Sequence, residues 1–453
     1  MPADIQIKNG KIATERGLIY GGLNISEGRI TKISSDSRLE DADLIIDAEK
    51  KIVIPGLIDA HVHLRDMAQR DKETFNTGTA AAARGGVTSI IDMPNNAPPT
   101  ISLSTFKNKL DLCRDGLTVN TGFYCGPPEE ISEIRKIVEE GAFGFKVYLN
   151  KPISNINVLD VGVLRSIASE IATYGGLILF HAELVNPKNI VGEGWDLNSQ
   201  VKAFIKAHDK SLELKAVKYI LDAIKGSKIR AHFCHITTSK SIEMINKSNS
   251  NGLYSIEVSP HHLLLDEGVI YKIGAAAKTA PPLRDRCEVS ELWDLAIING
   301  KADIIASDHA PHTLTEKDAG FNEAPSGVPG LETTLPLMMT RVLEGEISLD
   351  KFLRLTAYRP AALMRVVGRG KIEKGYFADV AIVDCSVEYK IDSKKFLSKA
   401  KYSPFDGFKV KCKVDKTIVN GQLVYDADQG IVNYKSGVIL KPNIQTKEWF
   451  KDG

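Results

Sequence analysis

Pro55-Gly56-Leu57-Ile58-Asp59-Ala60-His61-Val62-His63-Leu64-Arg65-Asp66 carries the end of an apolar run rich in Ile and Val. From Ile52 to Leu64 the run reads as one buried strand, because so few polar residues interrupt it. Alternate side chains of a strand share a face. His61 and His63 therefore point the same way and can offer imidazole nitrogen to one cation, and Arg65 follows on that face. A His-x-His pair also suits packed, hydrogen-bonded histidines. Its company along the chain decides between the two.

Further strand-like runs follow at Val87–Met93, Leu117–Cys125, Phe143–Leu149, Gly176–His181, Lys228–Ile236, Tyr254–Val258 and Ala302–Asp308. Amphipathic helical stretches separate them, among them Thr74–Arg84, Glu130–Glu140, Val158–Tyr174, Leu212–Ile224 and Lys351–Met364. Eight such strand–helix repeats predict an α/β chain folded as a (β/α)8 TIM barrel rather than an open doubly wound sheet. No Gly-x-Gly-x-x-Gly or Walker-type loop follows a strand, which argues against nucleotide binding. Residues 1–54 read as short strands with turns at Asn9-Gly10 and Glu27-Gly28, and the pattern returns at Phe377–Val383, Thr417–Asn420 and Leu423–Tyr425. The expectation is a catalytic barrel of residues 55–367 and a small β domain assembled from both termini, residues 1–54 and 368–453. Two separate β caps are the alternative.

The 453 residues carry a net charge of +1, with 43% hydrophobic and 25% charged residues, as in an ordinary globular chain. With no basic or acidic tail, neither nucleic acid nor an anionic membrane surface is an expected partner. Met1-Pro2-Ala3-Asp4 has no signal-peptide character, and no apolar run reaches transmembrane length. Cysteines 113, 125, 234, 287, 385 and 412 show no Cys-x-x-Cys spacing. Reduced thiols in a cytoplasm are the expected state.

Nine of the ten histidines fall at or just beyond predicted strand ends; only His208 falls on a predicted helix. His61 and His63, His181, His232 and His235, and Asp308 with His309 and His312 would converge at the C-terminal face of the parallel strands, where barrel enzymes build their sites. Imidazole and carboxylate ligands without thiolate favour zinc, with manganese, iron or cobalt as substitutes. His232 and His235 are three apart and face opposite ways in a strand, so only one can be a ligand. Asp308 reads as the functional acid, and His309, His261 and His262 read as loop-holding or outer hydrogen-bonding groups. Cys234 reads as an inert buried thiol. Lys146, inside a strand, is costly to bury as a cation. It is either ion-paired at the strand end or an amine of lowered pKa, able to add carbon dioxide as a carbamate that bridges two metals.

Eight segments taken together resemble the dihydroorotases of the cyclic amidohydrolase superfamily. They are PGLIDAHVHLRD, the MPN of 93–95, GFKVYLN, FHAE at 180–183, HFCHIT at 232–237, VSPHHLLL, ASDHAPHT at 306–313 and GVPGLETTLPL at 327–337. The resemblance implies a binuclear zinc centre held by His61, His63, His181, His235 and Asp308 and bridged by N6-carboxylated Lys146. It also implies a substrate carboxylate held by Arg65, Asn95 and His312, a proton shuttle at Asp308 and a lid near Asn150–Asn155. The implied reaction is the reversible cyclisation of N-carbamoyl-L-aspartate to L-dihydroorotate in pyrimidine synthesis, by a homodimer or in association with other enzymes of that pathway. An ion pair with Asp66 or Glu73 is the structural alternative for Arg65. Lys146 points to the carbamate-bearing branch, since one bacterial branch has aspartate there. Ala280 departs from the Asn or Arg of many dihydroorotases and resembles the small residue of allantoinases. Allantoinase, dihydropyrimidinase and a non-catalytic scaffold are the alternatives, although a scaffold would be expected to lose ligands.

Overall fold

The computed structural model describes residues 2–114, 116–187 and 195–445. Residue 1 and residues 446–453 of the expected terminal β domain lie outside the described residues. The chain opens with antiparallel β1 (Ala3–Thr14), β2 (Gly17–Ser26) and β3 (Arg29–Ser34); β4 (Ala42–Asp47) and β5 (Ile52–Pro55) then pair with β1 in parallel. Ile5, Ile7, Ile12, Leu23, Ile25, Ile30 and Val53 pack into one core together with Val380, Ile382 and Ile418 from later in the chain.

After a single residue the chain starts β6 (Leu57–Val62), but in a different sheet. The expected strand Ile52–Leu64 is therefore two strands, and Gly56 is the pivot. A Cβ at Gly56 would lie 2.1 Å from Thr88 Cγ2, and the Gly56 N–H donates to Asp379 O at 2.9 Å. Only glycine lets the backbone run this close to its neighbour.

β6, β7 (Val87–Asp92) and β8 (Asn120–Phe123) form one parallel sheet. β9 (Phe145–Tyr148), β10 (Leu177–His181), β11 (Arg230–Phe233), β12 (Tyr254–Val258) and β13 (Ile304–Ile305) form a second, also parallel and in sequence order. Isolated parallel bridges Cys125–Phe145 and Val62–His309 link the edges of the two sheets. Every residue of β6, β7, β8, β10 and β11 is buried, as expected for parallel strands covered on both faces.

Helices supply that cover: α1 (Phe75–Arg84), α2 (Leu103–Leu112), α3 (Glu133–Glu140), α4 (Val161–Thr173), α5 (Leu197–Ala207), α6 (Lys210–Ile224) and α7 (Ser239–Ser248). Thr74 and Ser102 start α1 and α2 with capping boxes, and Asp160 caps α4 through the Gly162 and Val163 amides. Two sequence expectations shorten or break here. The run Ala302–Asp308 keeps only Ile304–Ile305 as strand. The stretch Lys351–Met364 is interrupted by a wider, π-type turn at Arg354–Tyr358. Among the described residues no helix is long and apolar enough to cross a membrane.

β14 (Val380–Asp384) returns to pair antiparallel with β5, and β15 (Tyr389–Lys390) and β16 (Lys409–Val410) form a small separate pair. β17 (Lys413–Val419), β18 (Gln422–Asp426) and β19 (Gly430–Ile431) complete a nine-stranded sheet in the order β19-β18-β17-β14-β5-β1-β2-β3, with β4 on β1. That sheet takes strands from both ends of the chain. Gly56→Val should force the close Thr88 contact apart and lower stability by about 1–3 kcal/mol; urea unfolding against the unsubstituted protein checks this.

Candidate metal centre

His61 lies within β6, and His63 lies one residue past its end, where its N–H donates to His309 O at 2.7 Å. The two rings are 5.3 Å apart. Asp308 follows β13 in a left-handed conformation, φ 48°. Its Oδ1 lies 3.3 Å from His61 Nε2 and 3.1 Å from His63 Nε2. These three atoms are close enough to share one cation. His181 ends β10, and His235 stands two residues beyond β11 at φ 34°. His181 Nδ1 and His235 Nε2 face each other at 3.0 Å, and the His235 ring lies 5.2 Å from that of His61. The five side chains thus form one contiguous cluster from four strand ends.

Lys146, in β9, is fully buried. Its Nζ has no hydrogen-bond partner among the described residues and lies 5.3 Å from the Tyr148 ring centre. The ion-paired alternative for this lysine finds no partner here.

Two glutamates that the sequence reading passed over organise the imidazoles. Glu257, in β12, meets His61 Nδ1 at 2.7 Å and His232 Nε2 at 3.1 Å, and accepts from the His235 N–H at 3.0 Å. His232 therefore stays outside the cluster, with its Nδ1 2.8 Å from Ser255 Oγ. Glu183 contacts His181 Nε2 at 3.0 Å and His208 Nδ1 at 2.8 Å. His208, expected away from the strand ends, caps α5 and still reaches the site's outer layer. A glutamate inside the apolar run Tyr254–Val258 was the available signal for Glu257, because a carboxylate is buried only when paired.

The electrostatics follow from these contacts. Burial disfavours the His61 imidazolium, but the Glu257 carboxylate outweighs it and raises the pKa to about 10. Burial, then His181, push His235 well below the usual histidine range. Burial opposes ionisation of Asp308, yet His61 and His63 hold its carboxyl well below the usual range. His235 is thus neutral and Asp308 ionised, as metal binding requires, while His61 carries a proton that a bound cation would displace.

A cavity of about 440 Å³ opens over the cluster, with Arg65, Asn95, Tyr148, Ile153 and Ala280 in its wall. Arg65 is not on the strand as expected. β6 has ended, and Arg65 sits in a loop at φ 56°. Its Nε donates to Pro311 O at 3.3 Å, and its Nη2 lies 3.2 Å from His312 Nε2. Neither structural alternative holds for it. Asp66 accepts from the Met67 and Phe75 amides. Glu73 accepts from Ser398 Oγ and the Lys399 amide. Among the described residues no carboxylate lies within ion-pair distance of this buried guanidinium. His312 Nε2 donates to Ser326 O at 3.0 Å. Asn95 Oδ1 lies 2.6 Å from His63 Nδ1, so this amide orients a ring of the cluster. His309 Nδ1 accepts from the Gly330 amide at 3.2 Å, and His262 Nε2 donates to Pro281 O at 3.0 Å; both hold loops.

The chain belongs to the amidohydrolase family, whose model matches residues 52–424. It is 34% identical to a dihydroorotase of Methanosarcina acetivorans, over 96% of this chain and 94% of that protein. To a dihydroorotase of Pyrococcus furiosus it is 32% identical, over 96% of each. An L-hydantoinase of Paenarthrobacter aurescens is also 32% identical over 96% of each. Among solved structures, an L-hydantoinase (dihydropyrimidinase) from Arthrobacter aurescens matches with a TM-score of 0.90 at 30% identity, covering 97% of this chain and 100% of that one.

Glu257→Gln removes the charge behind His61 and His232. Loss of such an outer partner should weaken divalent-metal affinity about 10–100-fold; competition with a chromophoric chelator measures it.

Proposed function

We propose that the protein is a zinc-dependent dihydroorotase, interconverting N-carbamoyl-L-aspartate and L-dihydroorotate. The observation that carries this reading is the Arg65 guanidinium, buried at the cavity wall with no carboxylate of its own. A buried cation left this way is a site for an anionic substrate group, and guanidinium binds carboxylate through two parallel hydrogen bonds. The dihydroorotase relatives over nearly full length agree with it. A second reading, a hydantoinase or dihydropyrimidinase acting on a neutral ring, is favoured by Ala280 in the cavity wall and by the L-hydantoinase match.

In this reading the eight parallel strands close as a (β/α)8 barrel of residues 55–367. The bridges Cys125–Phe145 and Val62–His309 support closure, and the mixed nine-stranded sheet supports one β domain from residues 1–54 and 368–453. His61, His63 and Asp308 would hold one zinc, and His181 and His235 a second. The amine of Lys146 would bridge them after adding carbon dioxide, a step that forms an N–C bond and releases a proton. The addition would replace a buried, unpartnered amine with an anionic two-oxygen ligand, so the donors present fit such a centre. Bound zinc would supply an acidified water and a Lewis acid for the amide carbonyl.

The chain's own groups do the rest. Arg65, with His312 beside it, anchors the substrate carboxylate. Asn95 keeps the His63 ring turned toward the cluster. The His61 and His63 contacts fall on Asp308 Oδ1, so proton transfer is assigned to Oδ2. Asp308 accepts the proton of the attacking water and delivers it to the ring nitrogen as the amide C–N bond breaks, and the reverse serves for closure. The loop 150–155 is assigned as a cover: residues 150–153 line the cavity, and Asn150 Nδ2 donates to Glu183 Oε2 at 2.9 Å. Six free cysteines agree with a cytoplasmic setting.

Purified protein should turn over dihydroorotate faster than dihydrouracil, hydantoin or allantoin; the opposite order favours the second reading. Arg65→Ala should lower kcat/KM for dihydroorotate by roughly 30- to 4000-fold, the cost of removing one partner of a buried charged pair, with bound metal unchanged. Lys146→Ala should lose most metal and activity, and short carboxylic acids should restore part of both, as read by metal analysis alongside the assay.

A further inference from the structure

Lys109 has no part in the chemistry above, yet its side chain is wholly buried on α2. An ammonium is tolerated there only if it is paired and fully hydrogen-bonded. Lys109 Nζ pairs with Asp92 Oδ2 at 2.5 Å, and donates to Asn96 Oδ1 at 2.7 Å and to Met93 O at 2.8 Å. Two of these partners reach on to the Arg65 loop. Asp92 Oδ1 accepts from the Leu64 N–H at 2.6 Å, and Asn96 Nδ2 donates to Arg65 O. One buried ammonium therefore grips the backbone immediately before Arg65 and the carbonyl of Arg65 itself.

That backbone needs gripping. Arg65, Asp66 and Met67 are three consecutive non-glycine residues at φ 56°, 44° and 54°. Such conformations persist only where the surroundings over-determine them, and they gather where a side chain must be presented in one way. The turn sets where the Arg65 side chain leaves the end of β6, and so its place in the cavity wall.

We infer that Lys109 is a positioning residue for carboxylate recognition: through Asp92 and Asn96 it holds the left-handed turn that presents Arg65 to the cavity. The inference rests on the reading of Arg65 given above. It assigns a specificity role to a residue on the far side of the loop from the reacting atoms.

The test compares the unsubstituted protein, Lys109→Met, Lys109→Arg, Asn96→Ala, Arg65→Ala and the Arg65→Ala/Lys109→Met double variant on dihydroorotate, with bound metal and melting temperature recorded. A misplacement near 1 Å costs up to about 10²-fold. Lys109→Met and Asn96→Ala should therefore raise KM by about 10- to 100-fold with kcat and bound metal little changed. Lys109→Arg should recover part of the loss. In the Arg65→Ala background, Lys109→Met should add nothing further, because its effect passes through the arginine. An unaltered KM in Lys109→Met, or losses that multiply in the double variant, overturns the inference. If Lys109→Met does not fold, Lys109→Gln, which keeps a donor but removes the charge facing Asp92, takes its place, and an unaltered KM there overturns the inference. Protein inactive on dihydroorotate, or Arg65→Ala with an unaltered KM, overturns the functional reading and this inference with it. Normal behaviour of those two with no effect at Lys109 overturns only the inference.

Discussion

A single buried carboxylate, Glu257, ties three strands together. From β12 it reaches His61 on β6, His232 on β11 and the backbone of His235 beyond β11. Its carboxyl is held well below the usual range because His61 and His232 outweigh its burial. Breaking such a buried pair typically costs about 3–5 kcal/mol, since the survivor is left charged and dry. The arrangement of the imidazoles around the cavity therefore depends on one side chain that never meets the cavity. Glu183 plays the same part on the other flank, joining His181 to His208.

Backbone strain sits at the same place. Arg65, His235 and Asp308 all occupy the left-handed region, and each lies two or three residues past the end of a parallel strand. A strand that simply continued would point its next side chains alternately into and out of the sheet. The left-handed step breaks that alternation and lets a residue just past the last pairing turn toward the cluster. Strain of this kind is paid for by the packed helices and loops behind it. His309 accepting from the Gly330 amide is one such support.

The cavity is asymmetric in charge. Its lining includes the imidazoles and the Asp308 carboxylate of the cluster and a buried guanidinium with no carboxylate in ion-pair distance among the described residues, while the Ala280 side chain contributes neither charge nor hydrogen bond. A neutral ring would leave Arg65 unsatisfied, at the cost of an unpaired buried charge. In the proposed reading, a substrate bearing a carboxylate completes it. On that reading the asymmetry favours the dihydroorotases over the L-hydantoinase among relatives of similar identity.

Local pattern alone determined much of this protein. Apolar runs bounded by helical periodicity placed the parallel strands, because burial on both faces writes itself into composition. Tyr254–Val258 matched to the residue, and the metal-type side chains stood at run ends where such sites form. The division of Ile52–Pro55 from Leu57–Val62 was hidden, since both halves are equally apolar and only the approach of Thr88 to Gly56 separates them. Arg65 was legible as a cation near His63 but not as a loop residue, because its turn is held by contacts from Asn96 and Glu73 rather than by its own sequence. Glu183, His208 and Glu257 acquired their partners only on folding. Spacing along a chain reports which face a residue occupies; which buried charges meet across strands is decided by packing, where an unpaired charge is too costly to keep.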